Sequence, residues 1–251
     1  MIFKDTRLQI AATLGLVALI SLIRFFSAYT FLTLIIIIIS GQLIEALFTY
    51  LTKRKYFFSY SALVTALLVF LLFATHLPLW IYIFALTLAI SSKYTLKISQ
   101  HHIFNPAALG IFVTSLITKQ PVSWWGASWI WFLPLIIIFG SFSVLKRLRR
   151  LYIVGGFIII YILFTFLSTS TINLSVLIDG TVILFSFIML PEPLTSPIRG
   201  HWLKTFGIFI GLLMVIIVKI LPAINIDPLL LAILSGDLLS FLFINKFPQS
   251  V

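Results

Sequence analysis

The sequence contains no cysteine, which excludes disulfides, cysteine-ligated iron–sulfur clusters and thiol catalysis. Charge is scarce, with Asp, Glu, Lys and Arg together making up 9% of the 251 residues. No polar stretch is long enough for a separate soluble domain, so residues 1–251 are read as one integral membrane domain. A Gly-rich dinucleotide fingerprint is missing as well, so the chain is not a complete oxidoreductase on its own. The four histidines, His76, His101, His102 and His201, fall in loops or at segment ends. Membrane haem needs histidines facing one another across a bundle, so haem is not expected. The first hydrophobic segment has no small-residue cleavage site after a short core, and no removable signal peptide is expected. No residue takes a catalytic or metal-ligating role on these grounds.

What remains is apolar. The chain is 61% hydrophobic with a mean hydropathy of +1.20, the signature of a polytopic all-α membrane protein. The formal charge of +11 invites a nucleic-acid partner, but the basic residues lie between hydrophobic segments rather than along one face, so no nucleic acid is implied. The partner this composition demands is the lipid bilayer.

About ten hydrophobic segments can be traced: Leu8–Phe25, Tyr29–Leu51, Ser59–Phe73, Pro78–Ser92, Ile103–Ile117, Ala127–Leu145, Leu151–Leu167, Val176–Leu190, Trp202–Ile220 and Pro228–Ile244. With the N-terminus cytoplasmic, alternate ends collect 14 of the 17 lysines and arginines on the inside and leave Arg24, Lys119 and Lys219 outside. This bias follows the positive-inside rule and predicts ten transmembrane segments, both termini cytoplasmic, in the cytoplasmic (inner) membrane. Arg24, near the outer end of its segment, is expected to snorkel.

Several segments fall short of the ~20 residues a full span needs. The clearest begins at Asn105-Pro106, a good N-cap followed by a proline suited to the first helical position. Ala107, Ala108 and Gly110 leave room for neighbouring helices. The third, fifth, eighth and tenth segments are the short ones, and they occupy matching places in two halves of five, about 8–118 and 127–245. Because five is odd, the second half must be inverted relative to the first. The fold expected is therefore two inverted five-helix repeats with short or broken helices, and a site at their interface. Pro191–Pro197, with three prolines in seven residues, reads as a turn carrying Glu192 beside an apolar segment. Asp179 and Asp237 are read either as an ion path or as structure. Glu45 is read as a structural partner for a lysine or arginine. The basic loop Lys146–Arg150 suits an acidic partner or anionic lipid.

Ser61–Leu68 (SALVTALL), Ile103–Gly110 (IFNPAALG) and Met189–Pro197 (MLPEPLTSP) followed by Gly200 resemble the RnfD and NqrB family of membrane subunits. These belong to the Rnf electron-transport complex and the sodium-pumping NADH:quinone reductase. Gly236 and Asn245 resemble that family's closing Gly-x8-Asn pattern. The resemblance implies a ten-helix fold of inverted repeats and an electron-transport role beside other subunits of an Rnf-like complex, coupled to sodium or proton movement. It also implies flavin, including FMN joined through a phosphoester to a threonine on the outer side. Here the nearest match to that attachment motif is Gly126-Ala127-Ser128, with serine where threonine is expected and no acidic residue upstream in the loop. One option is thus covalent FMN at Ser128. The other is FMN or riboflavin held without a covalent bond between the repeats. Thr65, Asn105, Thr181 and Asn245 would then be polar contacts, with half-helix N-termini near Asn105 and Gly236 offering N–H groups. Each of these residues otherwise caps or joins helices. Trp124, Trp125 and Trp129 read as an interfacial belt or as stacking partners for a flavin ring. The competing function is a flavin-free channel or carrier for a small solute or ion on the same scaffold.

Overall fold

Three short helices start on polar caps, at Ser59, Asn105 and Asp179, and of these caps Asn105 is buried. The computed structural model describes residues 5–52, 56, 58–98, 101–129, 131–170, 178–196, 200–221 and 226–244. In chain order the elements are α1 (Thr6–Arg24), α2 (Ala28–Leu51), α3 (Tyr60–Leu72), α4 (Leu79–Thr95), a hairpin of β1 (Lys97–Ile98) and β2 (His101–His102), α5 (Pro106–Thr118) and α6 (Trp125–Ser128). They continue with α7 (Phe132–Arg147), α8 (Leu151–Thr169), α9 (Gly180–Leu184) running into a π-helical turn (Phe185–Met189), α10 (Gly200–Ile220) and α11 (Pro228–Ile244). In the hairpin Lys97 pairs with His102 and Ile98 with His101, antiparallel.

Each hydrophobic segment of the sequence carries a helix. The sequence did not announce the one-turn α6, the hairpin or the π-helical turn. The eighth segment is helical from Gly180, and its expected start at Val176 lies outside the described residues.

The caps explain where the short helices start. The Ser59 hydroxyl accepts from the Ala62 N–H at 3.1 Å, and the Asn105 side chain from the Ala108 N–H at 3.0 Å. One oxygen of Asp179 accepts from the N–H groups of Thr181 at 2.8 Å and Val182 at 3.2 Å. Each satisfies donors that a helix start leaves free. Asp179 is thereby the N-cap of α9.

Position within the bundle follows from the distribution of apolar surface. Every residue of α3 from Thr65 to Leu72 is buried, as is every residue of the π-helical turn. A helix apolar on all sides belongs inside. By contrast α1, α2, α8 and α10 are 19 to 24 residues long and apolar enough to cross a bilayer. They turn large side chains such as Ile23, Leu43 and Leu167 outward. Lipid takes those side chains as readily as a protein core does, so close packing of small residues holds the helices together.

The helix pairs follow one pattern twice. In the first five, α1 packs on α3, α2 on α4, and α4 on α5; in the second, α7 packs on α9, α8 on α10, and α10 on α11. Between the fives, α1 meets α7 and α5 meets α11, first with first and last with last.

Three tryptophans beside the end of α3 direct their indole N–H groups to partners within the protein. Trp125 Nε1 donates to the Phe70 carbonyl at 2.8 Å and Trp129 Nε1 to Ser21 Oγ at 2.9 Å. Buried Trp124 donates to Asp227 Oδ2 at 2.6 Å, while the other oxygen of Asp227 caps α11 through the Leu230 N–H at 2.9 Å. The Ser123 N–H adds a bond to the Leu72 carbonyl at 2.8 Å. The last carbonyls of α3 have no partner within their own helix, and indole N–H groups next to them find acceptors inward rather than at a lipid surface. Loss of water raises the Asp227 carboxyl above its ordinary range, and the Trp124 indole pulls it back down.

Candidate functional site

Asn105 is the point at which the two fives are tied. While its side-chain oxygen caps α5, its amide Nδ2 donates to the Met189 carbonyl at 3.0 Å, at the end of the π-helical turn. Its backbone N–H donates to Asp237 Oδ2 on α11 at 2.8 Å. Asn105 and Asp237 are both buried. The asparagine is therefore a three-way joint, and its hydrogen-bonding groups are occupied by protein.

Next to this joint lies a cavity of about 290 Å³, close to the lower edge of the ~300–1,000 Å³ usual for small-molecule sites. Its walls come from both fives: the start of α1, α3, the start of α5, the end of α7, the π-helical turn and the turn after it. The polar lining includes Arg7, Ser61, Thr65 and Glu192, set among apolar residues such as Val64 and Phe187. The Thr65 hydroxyl donates to the Ser61 carbonyl at 2.9 Å, which leaves its lone pairs to accept.

Arg7 lines this cavity and Lys93 lies just behind Ser61. Buried Lys93 donates to Ser61 Oγ at 3.1 Å and lies 3.7 Å from Glu45 Oε2. Glu45 Oε1 in turn accepts from the Tyr94 hydroxyl at 2.9 Å. Glu45 is thus paired in the way a structural role requires. Glu192, in the turn after the π-helical segment, is pushed from 4.5 up to about 7 by loss of water, against the pull of Lys93 and Arg7. His102 is driven from 6.5 down to about 4 by burial and then by Lys93, Arg7, Lys97 and His101. The turn itself is held by buried Arg150, whose Nη1 donates to Ser196 Oγ at 2.6 Å, while Ser196 Oγ donates to the Glu192 carbonyl at 2.7 Å. Burial lowers Arg150 to about 10. That residue is accordingly withdrawn from the exposed basic loop that Lys146, Arg147 and Arg149 form.

The residues singled out in the sequence separate into those at the cavity and those elsewhere. Thr65 and Asn105 line it. Thr181 sits in the first turn of α9 and is not among the lining residues. Gly236 is no half-helix N-terminus. It lies in the middle of α11, where a Cβ would overlap Ile210 of α10, so its small size serves helix packing. Ser128 is exposed at the end of α6, donates to the Trp124 carbonyl at 3.0 Å, and belongs to the end of α3 away from the cavity. Asn245 lies outside the described residues. Sequence reasoning missed Arg7, Ser61 and Lys93. Ser61 stands one turn before Thr65 on α3, but Lys93 reaches it from α4, 32 residues away, a contact that only the fold reveals.

A bundle of apolar helices with broken elements meeting at a polar cavity defines a polytopic membrane protein built around a central site. The chain belongs to the NQR2, RnfD, RnfE family, whose model matches residues 3–131, just over half of the 251. That match takes in the first five helices, the Asn105 joint and α6. No curated protein matches the sequence. Membership makes the chain a membrane subunit of the electron-transport type this family comprises.

Proposed function

We propose that this chain is the membrane subunit of an ion-coupled electron-transport complex of the Rnf kind, and that FMN or riboflavin occupies the cavity between its two fives without a covalent bond. The observation that carries the reading is the cavity itself, walled by both fives at the capped start of α5. Its donor set suits a flavin ring: apolar walls for the faces, the Ser61 and Thr65 hydroxyls for the edge, and Arg7 with nearby Lys93 to favour a reduced, anionic ring. Asn105 is spoken for by protein partners and shapes the wall. A bound flavin would supply one- and two-electron chemistry between partner subunits. Ten spans in two inverted repeats, forming one membrane domain with both termini cytoplasmic, are part of this proposal; the doubled pairing pattern of the helices supports them.

The test is an absorption and fluorescence spectrum of detergent-purified protein before and after denaturation. Flavin that is released on denaturation, and that survives Ser128→Ala, is the expected result. Flavin that stays with the denatured chain and disappears in Ser128→Ala moves the cofactor to Ser128. A folded preparation free of flavin sinks the proposal in favour of a channel or carrier, and solute flux into vesicles is then the assay.

A further inference from the structure

The seam between α1 and α7 carries an open groove of about 630 Å³ that shares no residue with the central cavity. Apolar side chains such as Leu16, Phe132, Ile136 and Phe139 wall it, and Gln9 and Thr13 supply the polar side-chain atoms. Their donors are spent within the protein. The Thr13 hydroxyl donates to the Gln9 carbonyl at 3.0 Å, and Gln9 Nε2 donates to the Gly140 carbonyl at 2.9 Å. A polar solute finds no donor along these walls, whereas Leu16 and Phe139, 48% and 76% exposed, offer their flanks to a hydrocarbon. A Cβ on Gly140 would overlap Thr13, so the two helices touch at this seam.

One end of the groove is basic. Its residues on α7 recur along one face of the helix, and that face continues through Ser143 to Lys146 and Arg147, all three exposed. Six residues of helix place Lys146 ~9 Å beyond Gly140. Ser143 Oγ accepts from Gln9 Nε2, which leaves its own hydrogen to donate. Exposed Arg149 is turned back over the end of α7, its N–H donating to the Lys146 carbonyl at 3.2 Å. Residues 140–150 hold four bases and no acid. At the facing end of α1, Asp5 is committed to its cap and accepts from the Arg7 N–H at 2.8 Å.

We propose that this groove is a binding site for an anionic phospholipid. One acyl chain lies along the seam, and the phosphate accepts from the Ser143 hydroxyl and from Lys146, with Arg147 and Arg149 adding positive charge. Basic pockets between membrane helices collect acidic headgroups in this way. A zwitterionic lipid can lay down the same chain, but the cation in its headgroup offsets the attraction of the bases. Net negative charge is therefore what the site selects. The bound lipid covers the meeting of α1 with α7, a contact between the two fives, and the site is independent of any flavin.

The test is photo-crosslinking of the full chain in phosphatidylcholine nanodiscs with phosphatidylglycerol that carries a diazirine on one acyl chain. Crosslinks should map to residues 12–16 and 132–140 ahead of the exposed faces of α2 and α8. Unlabelled phosphatidylglycerol should compete better than phosphatidylcholine of the same chains. Lys146→Gln should weaken that competition about five-fold, while Lys204→Gln, which removes an exposed base from α10, should leave it unchanged. Ala12→Trp fills the groove from an exposed position and should abolish the groove crosslinks; Leu16→Trp does the same if the first variant does not fold. Crosslinks spread evenly over α2 and α8, equal competition by the two lipids, or equal losses in Lys146→Gln and Lys204→Gln overturn the proposal. So does a groove that takes no lipid while Ala12→Cys crosslinks to another polypeptide in native membranes, which gives the surface to a partner helix.

Discussion

Glu192 has its protonation decided by the fold rather than by the side chain. Free in an unfolded chain it titrates at 4.5; folded, with water stripped from the carboxyl, it titrates at about 7. Between those values the folded state binds the extra proton. The stabilisation from Glu192 is therefore complete below pH 4.5, falls as pH rises, and is gone above about 7. His102 works the other way, neutral when folded down to about 4 against 6.5 when unfolded, so its contribution is present above 6.5 and lost on acidification. Comparison of variants separates the two. Thermal unfolding of Glu192→Gln in detergent across pH 4.5 to 7 should lack the decline that Glu192 imposes on wild type, so the stability difference between the proteins should change steadily with pH through that window. A difference that is constant with pH would mean that Glu192 is solvated and the cavity wall is not closed around it.

At the scale of elements, the sequence carried what local rules decide. Ser59, Asn105-Pro106 and Asp179 are cap residues by type, and each begins a short helix at its own position. The elements that stayed hidden are set by contacts distant in sequence. The one-turn α6 exists because Trp125 and Trp129 reach Phe70 and Ser21, and the π-helical turn lies where the Met189 carbonyl is needed by Asn105. Gly236 was misread for the same reason. Glycine inside an apolar run marks either a helix end or a close crossing, and the partner, Ile210, is invisible until the helices are in place. Crossings of this kind give a clean comparison. A methyl added at Gly207 on α10 would overlap the backbone carbonyl of Ile153 on α8, which can yield only if the two helices part. The same methyl at Gly155 on α8 meets nothing within 4 Å. Gly207→Ala should destabilise the protein by about 1–3 kcal/mol, whereas Gly155→Ala should be neutral or stabilising through helix propensity. Equal midpoints for the two variants in thermal unfolding would count against the α8–α10 crossing.

At the scale of the whole molecule, the family match ends at residue 131, so the second five helices rest on their own physics. Two features support the proposal that they are a counterpart of the first. One is the helix pairing, in which first with third, second with fourth and fourth with fifth recur in both fives, joined by α1 with α7 and α5 with α11. The other was already written in the charges, since 14 of the 17 basic residues gather at one set of segment ends. The candidate site was less legible: the Asn105 motif could be read, but Arg7, Lys93 and Glu192 converge on it from three separate stretches of chain and no spacing rule connects them. The inverted arrangement can be tested because the chain has no cysteine to interfere. Single cysteines at His76, Pro121, Lys146 and Lys204 all occupy exposed positions. With α3 and α5 ending on the outer side and α7 ending and α10 starting on the inner side, a membrane-impermeant maleimide added to intact cells should label the first two. The last two should react only after the membrane is opened. Labelling of Lys146→Cys from outside would remove a crossing at α7 and with it the inversion. Labelling of Lys204→Cys alone would keep the first five helices and α7 while breaking the count at α9, the shortest of the elements that the ten-span arrangement requires to cross.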